Sequence, residues 1–203
     1  MALPVERARR ILWIAIVFEA SLLLIALPVG WLLGAPALAR LELTIEATLY
    51  GLGATLPLLL FGLILSQRSW APLRRIMQEL DASLLPLFRH CTTLELALIA
   101  LAAGIGEEAL FRGAIQGGVA HLTTPTVGLV GASVLFGLAH LITRTYAALA
   151  ALVGVYLGSL YLLSGNLLVP IVVHATYDFA ALSYWIHSRP AQQDDHLPRD
   201  LSS

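Results

Sequence analysis

The sequence predicts an all-α fold, a polytopic membrane helix bundle of about six transmembrane helices plus one amphipathic helix at the interface. Three observations predict it. Apolar residues make up 58% of the 203-residue chain and charged residues only 12%, against roughly 25% charged in soluble domains. Mean hydropathy is +0.81. Six stretches approach the ~20 mostly apolar residues a spanning helix needs, at roughly 11–33, 44–65, 92–121, 125–143, 147–163 and 167–187. The length suits one domain, a single transmembrane unit over 1–187. The polar, proline-bearing segment 188–203 is expected to be a disordered cytoplasmic tail.

The first stretch follows the basic start MALPVERARR, as a signal peptide would. Its apolar run is longer than a typical signal core and lacks a clear A-x-A site, so it reads as a retained helix. The third stretch is long enough to be tilted, kinked or partly outside the hydrocarbon. Arginine placement orients the set. With six spans, ten arginines fall on one side, Arg40 alone falls on the other, and Arg112 lies within a span. Both termini are therefore expected in the cytoplasm. Between the second and third stretches, Leu73, Ile76, Met77, Leu80, Leu84, Leu87 and Phe88 form a helical apolar stripe. Arg74, Arg75, Gln78, Glu79 and Asp81 fall off it, which reads as a helix lying in the interface and broken near Pro86.

Composition also excludes some chemistry. Net charge is −1, so no global field recruits nucleic acid. All twelve cations are Arg, which rules out a lysine Schiff base. Cys91 is the one cysteine, so neither an intrachain disulfide nor a cysteine zinc cluster can form. The absence of Lys beside abundant Ala, Leu and Arg points to a GC-rich bacterial genome, and so to a bacterial inner membrane.

A charge near the bilayer centre costs at least about 2.5–3.5 kcal/mol on insertion scales. Polar groups inside the apolar stretches are thus expected to face a cavity or a partner. The candidates are Glu19, Glu46, Glu95, Glu107, Glu108, Arg112, His140, His174 and Asp178. Glu108 and Arg112 are four apart, acid first, the favourable order for a helical ion pair. Glu107 is turned about 100° from Glu108, so one acid can meet the arginine while the other looks into the bundle. His174 and Asp178 lie one turn apart on one helix face. Neither Ser133 nor Ser159 sits in a recognisable nucleophile setting, and Cys91 lies at a span boundary. A carboxylate with a histidine can activate water as a general base, and a second histidine with a polar neighbour can stabilise an oxyanion. Two histidines and a carboxylate are equally a sufficient ligand set for a catalytic zinc. Both routes lead to hydrolysis by water. Glu19 and Glu46 read as helix-pairing or interfacial residues.

Three patterns stand in order: Glu107-Glu108-x-x-x-Arg112, completed by Phe111-Arg112-Gly113, then Phe136-x-x-x-His140 and His174-x-x-x-Asp178. Together they resemble the CAAX prenyl protease and bacteriocin-processing (CPBP, or Abi) family of intramembrane endopeptidases, over a core of 92–187. The resemblance implies that Glu107 and His140 polarise the attacking water. His174 and Asp178 would hold the oxyanion or help bind a metal. Glu108 and Arg112, with Phe136, would organise the site. It implies either no metal or a zinc ion held by Glu107, His140 and His174. It further implies a membrane protein or peptide as substrate, cleaved near the cytoplasmic leaflet. Many members carry Asn where this chain has Asp178, and an ionised Asp accepts hydrogen bonds but cannot donate one. The competing readings are a non-catalytic membrane adaptor or bacteriocin-immunity protein and a small proton-coupled transporter. The absence of a repeated half with matching broken helices argues against the transporter.

Depth poses a problem. His140 precedes Arg144 by four residues, whereas Glu107 lies about 22 Å into its stretch at 1.5 Å per residue. The third span is therefore expected to start lower, tilt, or kink near Gly104 and Gly106.

Overall fold

A computed structural model of the chain describes residues 5–68, 70–89 and 91–188, and every regular element among them is helical. The tail from 189 onward lies outside the described residues. All six apolar stretches are helices. They are α1 (Val5–Leu32), α2 (Ile45–Ser66), α5 (Thr93–Glu108) continued through a π-helical segment (Ala109–Gln116) into α6 (Gly117–Leu122), α7 (Pro125–Ala139), α8 (Arg144–Ser164) and α9 (Leu168–His187). Three helical stretches, Arg9–Leu32, Ile45–Ser66 and Arg144–Ser164, are long and apolar enough by themselves to cross a membrane. α7, at 15 residues, is a shorter apolar helix.

The helix starts follow from threonines. Thr44, Thr124 and Thr143 each cap a helix by accepting a backbone N–H three residues on. Thr92 and Glu95 form a reciprocal capping box. Glu95 also pairs with Arg9 at 3.5 Å, so α5 and α1 are tied at one end. At the other end, Gly165 takes φ 67°, a conformation a side chain disfavours, and its N–H closes α8 onto the Tyr161 carbonyl.

The connector forms α3 (Ala71–Ser83) and α4 (Leu85–Phe88), broken at Leu84, with Pro86 in the first turn of α4. Leu73, Ile76 and Phe88 of the stripe are buried. Leu84, Leu87 and Phe88 pack with Leu12 of α1 and Trp185 of α9. Much of the apolar face is thus spent on the bundle rather than on lipid. Asp81, expected on the polar side, accepts a 2.9 Å bond from Trp185 Nε1 and pins α3 to α9.

α1 and α2 are the most outward-facing helices. Trp13, Ile14, Val17, Phe18 and Leu24 on α1, and Leu49, Leu56 and Leu60 on α2, are exposed, as expected of surface that faces hydrocarbon. α5 lies against both α1 and α9, and small residues permit the approach. A Cβ on Gly104 would meet Ala175 of α9 at 2.9 Å. One on Gly106 would collide with the Glu19 carbonyl of α1. The helix is regular through both glycines and departs from α geometry only at Ala109. The glycines therefore serve packing, and the irregularity that sequence placed near them falls in the next turns.

Gly106→Ala is expected to cost about 1–3 kcal/mol through overpacking, read as a lower melting temperature in detergent. Gly131→Ala, where an added Cβ meets nothing within 4 Å, leaves the melting temperature unchanged or slightly raised.

Candidate active site

The depth problem is resolved by the turn that the two stretches share. The turn at 123–124 joins α6 to α7. Back from it, the π segment (8 residues) and α6 (6 residues) lead to the Glu107-Glu108 pair. Forward from it, α7 (15 residues) leads to His140. The two paths are nearly equal, so the acids and His140 stand at one level. His140 is the C-cap residue of α7 rather than a mid-helix residue.

Glu108 and Arg112 form the buried centre, 0% and 1% exposed. Arg112 Nη1 donates to Glu108 Oε1 at 2.8 Å, and Nη2 donates to the Gly154 carbonyl of α8 at 3.2 Å. The same Glu108 oxygen lies 2.8 Å from His174 Nδ1 of α9. A carboxylate can only accept, so Nδ1 carries the proton in that bond, and Nε2 is left facing the pocket. Asp178 Oδ2 lies 3.4 Å from that Nε2. One turn beyond Arg112, Gln116 Nε2 donates to the Gly158 carbonyl at 3.0 Å. Arg112 with Gly154 and Gln116 with Gly158 are both 42 residues apart, so the two helices run parallel in fixed register. Gly158 has no side chain to block the contact: a Cβ there would sit 2.5 Å from Gln116 Oε1.

Phe136 is the apolar hub. The Arg112 guanidinium lies 4.4 Å from its ring centroid. His140 stacks on it at 4.5 Å, and Phe111 and His174 meet it edge-on at 5.1 and 6.0 Å. Phe136 of the second motif thus touches Arg112 of the first, His174 of the third and its own motif's His140.

Glu107, turned away from Arg112, points elsewhere. Its Oε2 is buried without a hydrogen-bond partner and stands 3.7 Å from His140 Nε2. His140 Nδ1 lies 2.8 Å from the Phe136 carbonyl, an acceptor, so that nitrogen holds the ring proton and Nε2 offers its lone pair toward Glu107. At 3.7 Å the two atoms are too far apart for a direct bond but well spaced to share a water. The His140 side chain is 26% exposed and that of Asp178 34%, so the pocket is open on this side.

The structure therefore brings together Glu107, Glu108, Arg112, Phe136, His140, His174 and Asp178. Two further residues reach the cluster that sequence reading did not assign to it. Glu19 of α1 comes up beside Glu107: its backbone carbonyl lies against Gly106, and its Oε2 is buried without a hydrogen-bond partner. The Tyr146 ring of α8 lies 6.3 Å from that of His140. Neither carries a motif signal, although Glu19 was conspicuous as an acid in an apolar helix. Glu46 stands apart as an exposed acid in the first turn of α2, and Glu95 is occupied in its cap. Ser133 and Ser159 bond the carbonyls four residues back. Cys91 packs with Phe88 and Leu96, and burial pushes its thiol up to about 11, which leaves it a poor nucleophile.

The zinc alternative needs Glu107, His140 and His174 to converge on one point. Among the described residues, no three His, Cys, Asp or Glu side chains take up a metal-holding arrangement. His174 Nδ1 is spent on Glu108, and its Nε2 lies 3.4 Å from Asp178 Oδ2. The donor set in this arrangement does not fit a zinc ion.

Fold and pocket define a class: an all-α bundle of apolar helices that encloses a dry carboxylate–arginine–histidine cluster beside a wetter carboxylate–histidine pair. Residues 89–180 match the family model described as Type II CAAX prenyl endopeptidase Rce1-like. The match spans a little under half of the chain and contains all three motifs, so the family resemblance is shown over that segment. No curated protein and no solved structure matches the chain.

Arg112→Met is expected to lose about 3–5 kcal/mol, because it strands the Glu108 carboxylate in a dry site. Thermal unfolding in detergent measures this. Arg112→Lys does not restore the loss, since one ammonium cannot reproduce both bonds and the stack on Phe136.

Proposed function

We propose that the protein is an intramembrane endopeptidase that hydrolyses a peptide bond of a membrane protein or peptide with a water activated by Glu107 and His140. The observation that carries the reading is the buried, unpartnered Glu107 Oε2 facing His140 Nε2 at 3.7 Å. The match of residues 89–180 to an endopeptidase family supports it independently.

In this mechanism Glu107 takes a proton from the water held between it and His140, and the water oxygen attacks the scissile carbonyl carbon. His174 acts as the imidazolium, its Nδ1–H donating to Glu108 and its Nε2–H, which otherwise faces Asp178, donating to the resulting oxyanion. Asp178 steadies that edge as an acceptor, which suits an Asp better than donation to the oxyanion would. Glu108 and Arg112 touch no reacting atom and hold His174 and Phe136 in place. When the intermediate collapses, the C–N bond breaks and the proton on Glu107 passes to the departing nitrogen.

We read the six apolar helical stretches as six spans, with both termini cytoplasmic by the arginine bias, in a bacterial inner membrane. The open side of the pocket, at the α7–α8 turn beside Arg144, then faces the cytoplasmic half of the bilayer. This substrate-facing arrangement is what an adaptor or immunity protein would not require.

The test is cleavage of a membrane-embedded peptide by the purified protein in vesicles. Glu107→Gln and His140→Ala are each expected to lose about 10²–10⁴-fold in rate, with folding unchanged. Cleavage persists in a chelator. Retained activity in either variant would sink the catalytic assignment, and chelator inhibition reversed by zinc would replace the water mechanism with a metal-based one.

A further inference from the structure

The link between α1 and α2 runs as a packed strap, 33–42, across the end of the bundle away from the α7–α8 turn. One side of it lies on the helix that carries the first motif. Ala37 is 2% exposed and shares a cluster with Ala109 and Ala114 of the π segment. A Cβ on Gly113, the residue after Arg112, would collide with the Ala37 carbonyl, and one on Gly118 with the Leu33 side chain. The other side lies on α8 and α9, where Leu38 and Leu41 pack against the cluster of Tyr161, Leu167 and Ile171. Leu38 packs against both clusters, so the strap is wedged between the π segment and the α8–α9 turn.

Asn166 holds it there. This residue lies in the turn that joins α8 to α9 and is 8% exposed. Its Oδ1 accepts from the Glu42 N–H at 3.1 Å and from the Leu168 N–H at 2.9 Å, and its Nδ2 donates to the Glu42 carbonyl at 2.8 Å. Beside it the Leu167 N–H donates to the Arg40 carbonyl at 2.7 Å. A side-chain amide carries an acceptor and a donor together, so it satisfies both backbone groups of one strap residue as a paired strand would.

We propose that Asn166 is a positioning residue for the site: it clamps the strap, and the strap holds the π segment in the register that presents Arg112 to Glu108 and to the Gly154 carbonyl. The π segment begins at the residue after Glu108 and contains both Arg112 and Gly113. π geometry is rare beside the α-helix, so packing has to select it over the regular alternative. Freed of the strap, the segment can rewind toward α geometry, and Arg112 leaves its line to Gly154. Glu108 then holds His174 less firmly, and the loss falls on the chemical step rather than on substrate binding. The strap lies outside residues 89–180 and Asn166 within them, so the clamp joins the family-like segment to the chain ahead of it.

The kinetic consequence rests on the protease reading, whereas the contact rests on geometry alone. In the full chain in vesicles, with the same membrane peptide, Asn166→Ala is expected to lose about 10–100-fold in kcat with KM unchanged. Leu38→Ala loosens the strap itself and loses on the same scale. The double variant falls no more than about 3-fold below the slower single variant, because both act through one element. Losses that multiply in the double variant overturn the proposal, as does a loss confined to KM or a wild-type kcat in Asn166→Ala. Hydrogen–deuterium exchange without substrate separates this from failure of the protease reading. Amides of 109–116 are expected to exchange at least about 10-fold faster in Asn166→Ala, while those of α7 keep their wild-type rate. Unchanged exchange in 109–116, or a rise of equal size in α7, overturns the proposal, whatever the protein cleaves.

Discussion

One oxygen atom organises this molecule. Glu108 Oε1 receives Arg112 from the next turn of its own helix and His174 from α9, each at 2.8 Å, and Arg112 continues to the Gly154 carbonyl of α8. The guanidinium also covers Phe136 of α7. Four helices are thus indexed to one carboxylate. In so dry a place each of these charges would be costly alone, and the set is tolerable only when complete. This makes the cluster less a source of net stability than a constraint on arrangement. Helices whose outer surfaces meet lipid have little hydrophobic reason to prefer one register, and here hydrogen bonds fix it.

The constraint also explains why two adjacent acids behave differently. The helix turns Glu107 about 100° from Glu108, out of reach of the arginine. The neighbour is neutralised and fully enclosed, while Glu107 retains a buried oxygen without a donor beside a partly solvated histidine. The tighter the clasp on Glu108, the more firmly Glu107 is held in place. His140 is fixed from another direction, by its bond to the Phe136 carbonyl and its stack on the Phe136 ring.

Much of this was legible in sequence because it is local. The i,i+4 spacings of Glu108/Arg112 and His174/Asp178 and the α3 stripe depend on a few neighbouring residues, and helix geometry translates them directly. The six apolar stretches are likewise a matter of run length. What sequence could not give was relative height and lateral neighbours. That α7 stops at Ala139 depends on the backbone turning at His140, and no periodicity announces it. The π segment gives no pattern of its own, and glycines at 104 and 106 looked like hinges when they are contact points. Glu19 and Tyr146 enter the site through helix packing, which a single sequence does not encode in any spacing. The zinc alternative was open for the same reason, since a ligand list says nothing about where each ring nitrogen is already committed.

The unequal solvation of the pocket has a consequence for what can be attacked there. Its deep side, Glu108 and Arg112, is sealed, while His140 and Asp178 are partly exposed. An amide inside an intact helix has its carbonyl engaged with an N–H four residues on and its faces covered by the coil. Such a segment has neither the free carbonyl nor the slenderness to enter a pocket open on one side. Under the protease reading, an amide becomes cleavable once its helix has frayed or ended at the level of the α7–α8 turn. Substrate choice would then follow the local helical stability of the incoming segment, with glycines, prolines and unsatisfied helix ends counting for more than any particular side chain beside the cleaved bond.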